Sequence, residues 1–139
     1  PKDVIEQVCK LCGLHMYDMR GDAREAKVRV FVARNYNIID KLVALIRADR
    51  QATGMVAEQE ISQPHRFELV RDKMIDEGTP ILKRQLRITG KDLADMGFEG
   101  EAISAALETL WRECVIDPKY NNSERLAKMA ERLPKTVGA

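Results

Sequence analysis

The sequence predicts an all-α protein made of two small helical subdomains, and three observations carry that reading. Apolar residues recur at three- and four-residue steps along nearly the whole chain, the spacing that lines one face of a helix. There is no succession of short alternating runs separated by tight turns, as a β-meander would require. Breakers such as Gly78, Pro80, Pro118 and Pro134 fall between the periodic runs, where helix ends belong. A chain of 139 residues suits one ordinary domain or two small ones, and buries about two-thirds of the surface that its unfolded form exposes.

Val4, Ile5, Val8, Cys9, Cys12 and Met16 give a first helix with a core-facing stripe, weakened by Gly13 near its end. Asp22 is placed to cap a second helix over Ala23 to Arg34. Within it, the run Val28 to Val32 also fits a short buried strand. Ile38, Ile39, Leu42, Val43, Leu45 and Ile46 make a broad stripe over residues 38–52, the best core helix. From Gln51 to Pro64 the pattern weakens, and the proline marks a boundary between residues 1–63, a helical body segment, and 64–139, a helical tail.

In the tail, Phe67, Val70, Met74 and Ile75 line a helix that Gly78 caps and Thr79-Pro80 stops. A short helix follows Thr89 and runs through Met96, then Gly97-Phe98-Glu99-Gly100 turns the chain. Ile103, Ala106, Leu107, Leu110, Trp111 and Cys114 lie on a long helix ended by Asp117-Pro118. Asn122 or Ser123 caps a last helix carrying Leu126, Met129, Ala130 and Leu133.

The formal charge of +1 conceals an uneven distribution. Residues 1–50 carry 10 basic and 7 acidic side chains, 51–63 carry none and 2, 64–91 carry 7 and 4, and 92–139 carry 6 and 9. Ile81 to Lys91 holds Lys83, Arg84, Arg87 and Lys91 with no acid, a local positive field suited to phosphate contacts, or else a solvated helix face. No stretch approaches the roughly 18 apolar residues of a membrane span, and Pro1-Lys2-Asp3 lacks the order of a signal peptide. The three cysteines cannot all pair within one chain, so a reducing, cytoplasmic setting is expected.

Cys9-Lys10-Leu11-Cys12 with His15 has ligands at three-residue steps, but both cysteines fall on the stripe assigned to the core, which favours buried thiols over zinc. His15 and His65 lack neighbouring nucleophile patterns, and Gly97-x-x-Gly100 follows a helix, not a strand, so no complete active site is present. The Gly97 to Gly100 turn offers two readings. It presents helix N-H groups to a phosphate, or it is ordinary capping, which the flanking acids Glu99 and Glu101 favour.

The run Leu86-Arg87-Ile88-Thr89-Gly90-Lys91-Asp92-Leu93-Ala94-Asp95-Met96-Gly97, with Gly100 and the following helix, resembles the C-terminal region of tRNA nucleotidyltransferases, the CCA-adding enzymes. Leu14-His15-Met16-Tyr17-Asp18, Ala26-Lys27-Val28-Arg29-Val30-Phe31 and Leu45-Ile46-Arg47-Ala48-Asp49 are similar to that family's preceding body segment, in the same order. The resemblance implies an all-α body and tail that hold tRNA. It places the chemistry in a separate N-terminal head and neck, whose Gly-Gly-Ser-x-x-Arg and Asp-x-Asp motifs do not occur here. Magnesium and CTP or ATP are therefore expected only in that head, with no cofactor and no catalytic residue in this chain.

Asp49 resembles the last aspartate of an HD metal site. The His-Asp dipeptide is absent, so a metal there depends on residues outside this chain. Family tails place Pro and Gly where this sequence has Glu101 and Ser104, which moves the expected RNA contact from Gly97 and Gly100 to Lys83, Arg84, Arg87 and Lys91. With few aromatics and Trp111 on a core stripe, base stacking is expected to be a minor term. The alternatives are a helical self-association module and a fragment of an HD-type phosphohydrolase.

Overall fold

The computed structural model describes residues 2–14, 17–18, 21–52 and 57–137, with the backbone alone for 57–62. Among these residues there are seven α-helices and no strand, so the fold is all-α. They are α1 (Lys2–Leu14), α2 (Glu25–Arg34), α3 (Ile39–Ala52), α4 (Ala57–Asp76), α5 (Gly90–Asp95), α6 (Glu101–Ile116) and α7 (Ser123–Glu131). Short 3-10 turns lie at Tyr36–Ile38, Lys83–Gln85 and Pro118–Tyr120. The chain forms two compact units, Pro1–Lys73 and Met74–Ala139.

In the first unit, α2 buries Val28, Arg29, Val30, Phe31, Val32 and Ala33 in succession. A helix covered on all sides has no polar stripe, which is why this stretch also read as a strand. Its N-cap is Arg24, without a side-chain cap bond, and not Asp22. Asp18 serves the entry instead, accepting the Ala23 N-H at 2.8 Å. Helix α3 buries Ile39, Leu42, Val43 and Ile46 at helical spacing, as expected, while Leu45 is half-buried. Tyr17 stacks on Phe31 with ring centroids 4.0 Å apart, and Phe67 stands 5.2 Å from Phe31.

Two expectations about the first unit fail. Helix α1 contributes no buried residue: Val4, Ile5 and Val8 are 56%, 63% and 53% exposed, and Cys9 and Cys12 are exposed too. Gln7 on its other side accepts from Lys41 of α3 at 3.2 Å. The stripe is real but faces outward, because periodicity shows that a face is apolar, not what covers it. Met16 of that stripe lies outside the described residues.

Pro64, expected to end a helix, sits inside α4. An internal proline costs about 3 kcal/mol; here Pro64 is buried, as are Gln63, Phe67 and Val70, and burial of this face is the favourable term set against that cost. Ile75, expected on the apolar lining of this helix, is 50% exposed.

The end of α4 and the end of α5 use the same device. Gly78 (φ +70°) donates to Ile75 O at 3.1 Å while Thr79 donates to Met74 O at 3.0 Å. Gly97 (φ +102°) donates to Ala94 O and Phe98 to Leu93 O, both at 3.0 Å. These are Schellman closures, which need a residue in the left-handed region and so favour glycine. In the second unit, α6 buries Ala102, Ala106, Leu110, Trp111, Cys114 and Val115, and α7 buries Leu126 and Ala130. Asn122 is the cap of α7, accepting from Glu124 and Arg125 N-H at 3.0 and 3.3 Å. Ser123 is the first helical residue.

Candidate nucleic-acid interface

The acid-free segment is not a helix face. After the 3-10 turn at Lys83–Gln85 the backbone is extended, with ψ of 144° at Leu86 and 167° at Thr89. Leu86 and Ile88 are buried, while Gln85, Arg87 and Thr89 are exposed. That alternation is the period-two geometry of extended chain, and it turns Arg87 outward. Arg84 and Lys91 are exposed as well. Lys91 stands in the first turn of α5, where the helix dipole disfavours a cation.

A segment with one exposed edge needs partners for its peptide groups, and here side chains supply them. The Asn121 carboxamide accepts the Arg87 N-H at 2.8 Å and donates to Gln85 O at 3.1 Å. It thereby imitates the peptide of a neighbouring strand. Ser123 Oγ donates to Arg87 O at 3.3 Å, and Trp111 Nε1 donates to Ile81 O at 3.1 Å. Thr89 and Asp92 form a capping box that starts α5, with bonds of 2.9 and 3.1 Å. The segment is held at Ile81, Gln85, Arg87 and Thr89, and its arginines leave from a fixed backbone.

Lys83 is engaged within the unit. Its ammonium lies 3.1 Å from Glu108 and 5.9 Å from the Trp111 ring centroid, so part of its charge is spent inside the protein. The structure adds cations that the linear run does not contain. Lys119 and Arg125 flank Asn121, and the Arg125 guanidinium donates to Lys119 O at 3.2 Å. A sequence signal for this exists: Asn121-Asn122 supplies two amides where a helix start needs one, leaving the other for tertiary work.

Gly97 and Gly100 form the turn between α5 and α6, with φ of +102° and +55°. Ala102 N-H and Ile103 N-H at the start of α6 donate to Glu99 O and Gly100 O at 3.1 and 3.2 Å. Glu99 N-H donates to Lys135 O at 2.9 Å, which folds the C-terminal segment over the turn. This is the geometry of a cap. Lys135 is a cation beside the hairpin that the sequence reading missed: a Cβ added at Gly97 would lie 4.0 Å from its Nζ.

Asp49 is exposed on α3 and belongs to the first unit, while these residues belong to the second. Among the described residues no cluster of three His, Cys, Asp or Glu side chains is placed to hold a metal ion. His15, the third member of the cysteine group, lies outside the described residues. Cys114 is the buried cysteine; burial above all, with Glu113 and Asp117 nearby, pushes its thiol up to about 11. It is protonated at neutral pH and a poor nucleophile. No protein-family model, curated protein or solved structure matches this chain.

Proposed function

We propose that this chain is the tRNA-binding body and tail portion of a tRNA nucleotidyltransferase, working in the cytoplasm. It holds tRNA by backbone contacts while a head and neck outside these residues add nucleotides with magnesium and CTP or ATP. The observation that carries the reading is the basic segment itself: Arg84, Arg87 and Lys91 are exposed on a backbone that Asn121, Ser123 and the Thr89 capping box hold in place. Fixed cations on an extended surface supply sequence-independent affinity for phosphates, which suits recognition of a shape common to all tRNAs. The four sequence pieces in family order agree with it.

Affinity for tRNA measured across a salt series tests the reading. Replacing Lys83, Arg84 and Arg87 together by Ala should lower the slope of log affinity against log salt by about 2, at about 0.9 per phosphate contact. A drop nearer two contacts than three is expected because Lys83 already pairs with Glu108. Unchanged binding at low salt would remove these residues from the interface. A second reading, a self-association module, is favoured by one observation, the outward apolar face of α1.

A further inference from the structure

The face that carries Arg87 continues across Asn121 onto the turn before α7. Pro118 opens that turn with its fixed φ, and Asp117 accepts the Lys119 N-H at 3.1 Å. Tyr120 ends the turn and is 38% exposed. On one side of it, the Arg125 guanidinium bonds the carbonyl of the peptide unit that joins Lys119 to Tyr120, at 3.2 Å. On the other, the next residue, Asn121, holds the Arg87 N-H at 2.8 Å. The exposed Tyr120 thus lies in sequence between Lys119, whose carbonyl the Arg125 guanidinium bonds, and Asn121, whose carboxamide bonds the Arg87 peptide.

Cations alone are enough to bind a duplex, whose internal bases are stacked on one another and offer no free face to an aromatic ring. An exposed ring on a turn to which exposed arginines are tied suits unpaired nucleotides, where a ring can stack the base and guanidinium forks can hold neighbouring phosphates. Among the described residues neither Arg87 nor Arg125 forms an ion pair with an acid. Asp117 is bonded to the Lys119 N-H, and Glu124 sits in the first turn of α7, where the helix dipole favours it.

We propose that Tyr120, Arg87 and Arg125 seat one unpaired nucleotide of the bound RNA, Tyr120 stacking its base and the arginines its flanking phosphates. This rests on the RNA-binding reading above and narrows it to a junction where paired and unpaired RNA meet. The aromatic term expected to be minor from composition then becomes the selective one.

The test compares the full chain and its Tyr120→Ala and Tyr120→Trp variants on two RNA probes of equal phosphate number, a blunt duplex and a stem with an unpaired loop. The wild type should prefer the loop. Tyr120→Ala should lose about tenfold or more on the loop RNA while staying within about twofold on the duplex, and Tyr120→Trp should keep the preference. Equal losses on both probes, or none, would overturn the stacking seat and leave RNA binding standing. Failure of the wild type to bind either probe at low salt would instead bring down the RNA-binding reading, and the seat with it.

Discussion

Asp18 takes the left-handed backbone region at φ 52°, and its carboxylate is 1% exposed. One oxygen accepts the Ala23 N-H at 2.8 Å and the other meets Arg66 at 3.1 Å, while the same guanidinium donates to Gly21 O at 2.9 Å. Beside it, Gln63 donates to Tyr17 O and accepts from the buried Arg50. Asp18 and Gly21, before α2, are therefore tied inward to polar groups, and Tyr17 next to Asp18 stacks on Phe31. Asp18→Asn keeps the left-handed preference and one acceptor but leaves Arg66 without its anion, so unfolding in urea should show a loss of about 3 kcal/mol. Asp18→Ala should lose about 1–2 kcal/mol more, since alanine resists positive φ and also gives up the acceptor for the Ala23 N-H. Equal losses would mean that neither the backbone conformation nor that bond contributes.

At the scale of elements, the Asn121 clamp lends itself to direct measurement. Asn121→Ala removes both bonds to the segment at 85–87, and stability should fall by about 1–2 kcal/mol. Amide exchange should accelerate at Arg87, whose N-H the carboxamide covers, while Glu124 and Arg125, capped by Asn122, keep theirs. Uniform acceleration across α7 would point to general loosening and not to a clamp. This element also marks how far the sequence could be read. Helices α6 and α7 were legible because a half-buried helix writes its environment as a stripe, as Leu110, Cys114 and Leu126 do. The α2 helix was ambiguous because burial on every side erases the stripe. The extended stretch at 85–89 was missed, since Leu86 and Ile88 are too few to establish a period of two. In the candidate site the cations were legible one by one. Their arrangement was not, because it depends on Asn121 and Ser123, more than thirty residues away.

At the scale of the whole chain, each of the two units has its own buried set, and none of the described helices is long and apolar enough to cross a membrane. The +1 formal charge is the sum of +4 on Ile81–Lys91 and −3 on the rest of the chain. Among the described residues, Val4, Ile5 and Val8 of α1 form an exposed apolar face. If the self-association reading holds, mass in solution should rise with concentration, and Ile5→Glu with Val8→Glu should return it to the monomer value. A monomer mass up to tens of micromolar would end that reading. Trp111 is the chain's one tryptophan. Its indole N-H is tied to Ile81 O at 3.1 Å, and the Lys83 ammonium stands 5.9 Å from its ring. All indole fluorescence of the protein therefore originates at the base of the segment proposed to meet RNA. Any ligand that draws Lys83 away alters the field on that ring, so the proposed interface would carry its own optical gauge, with occupancy read by emission wavelength on unlabelled protein.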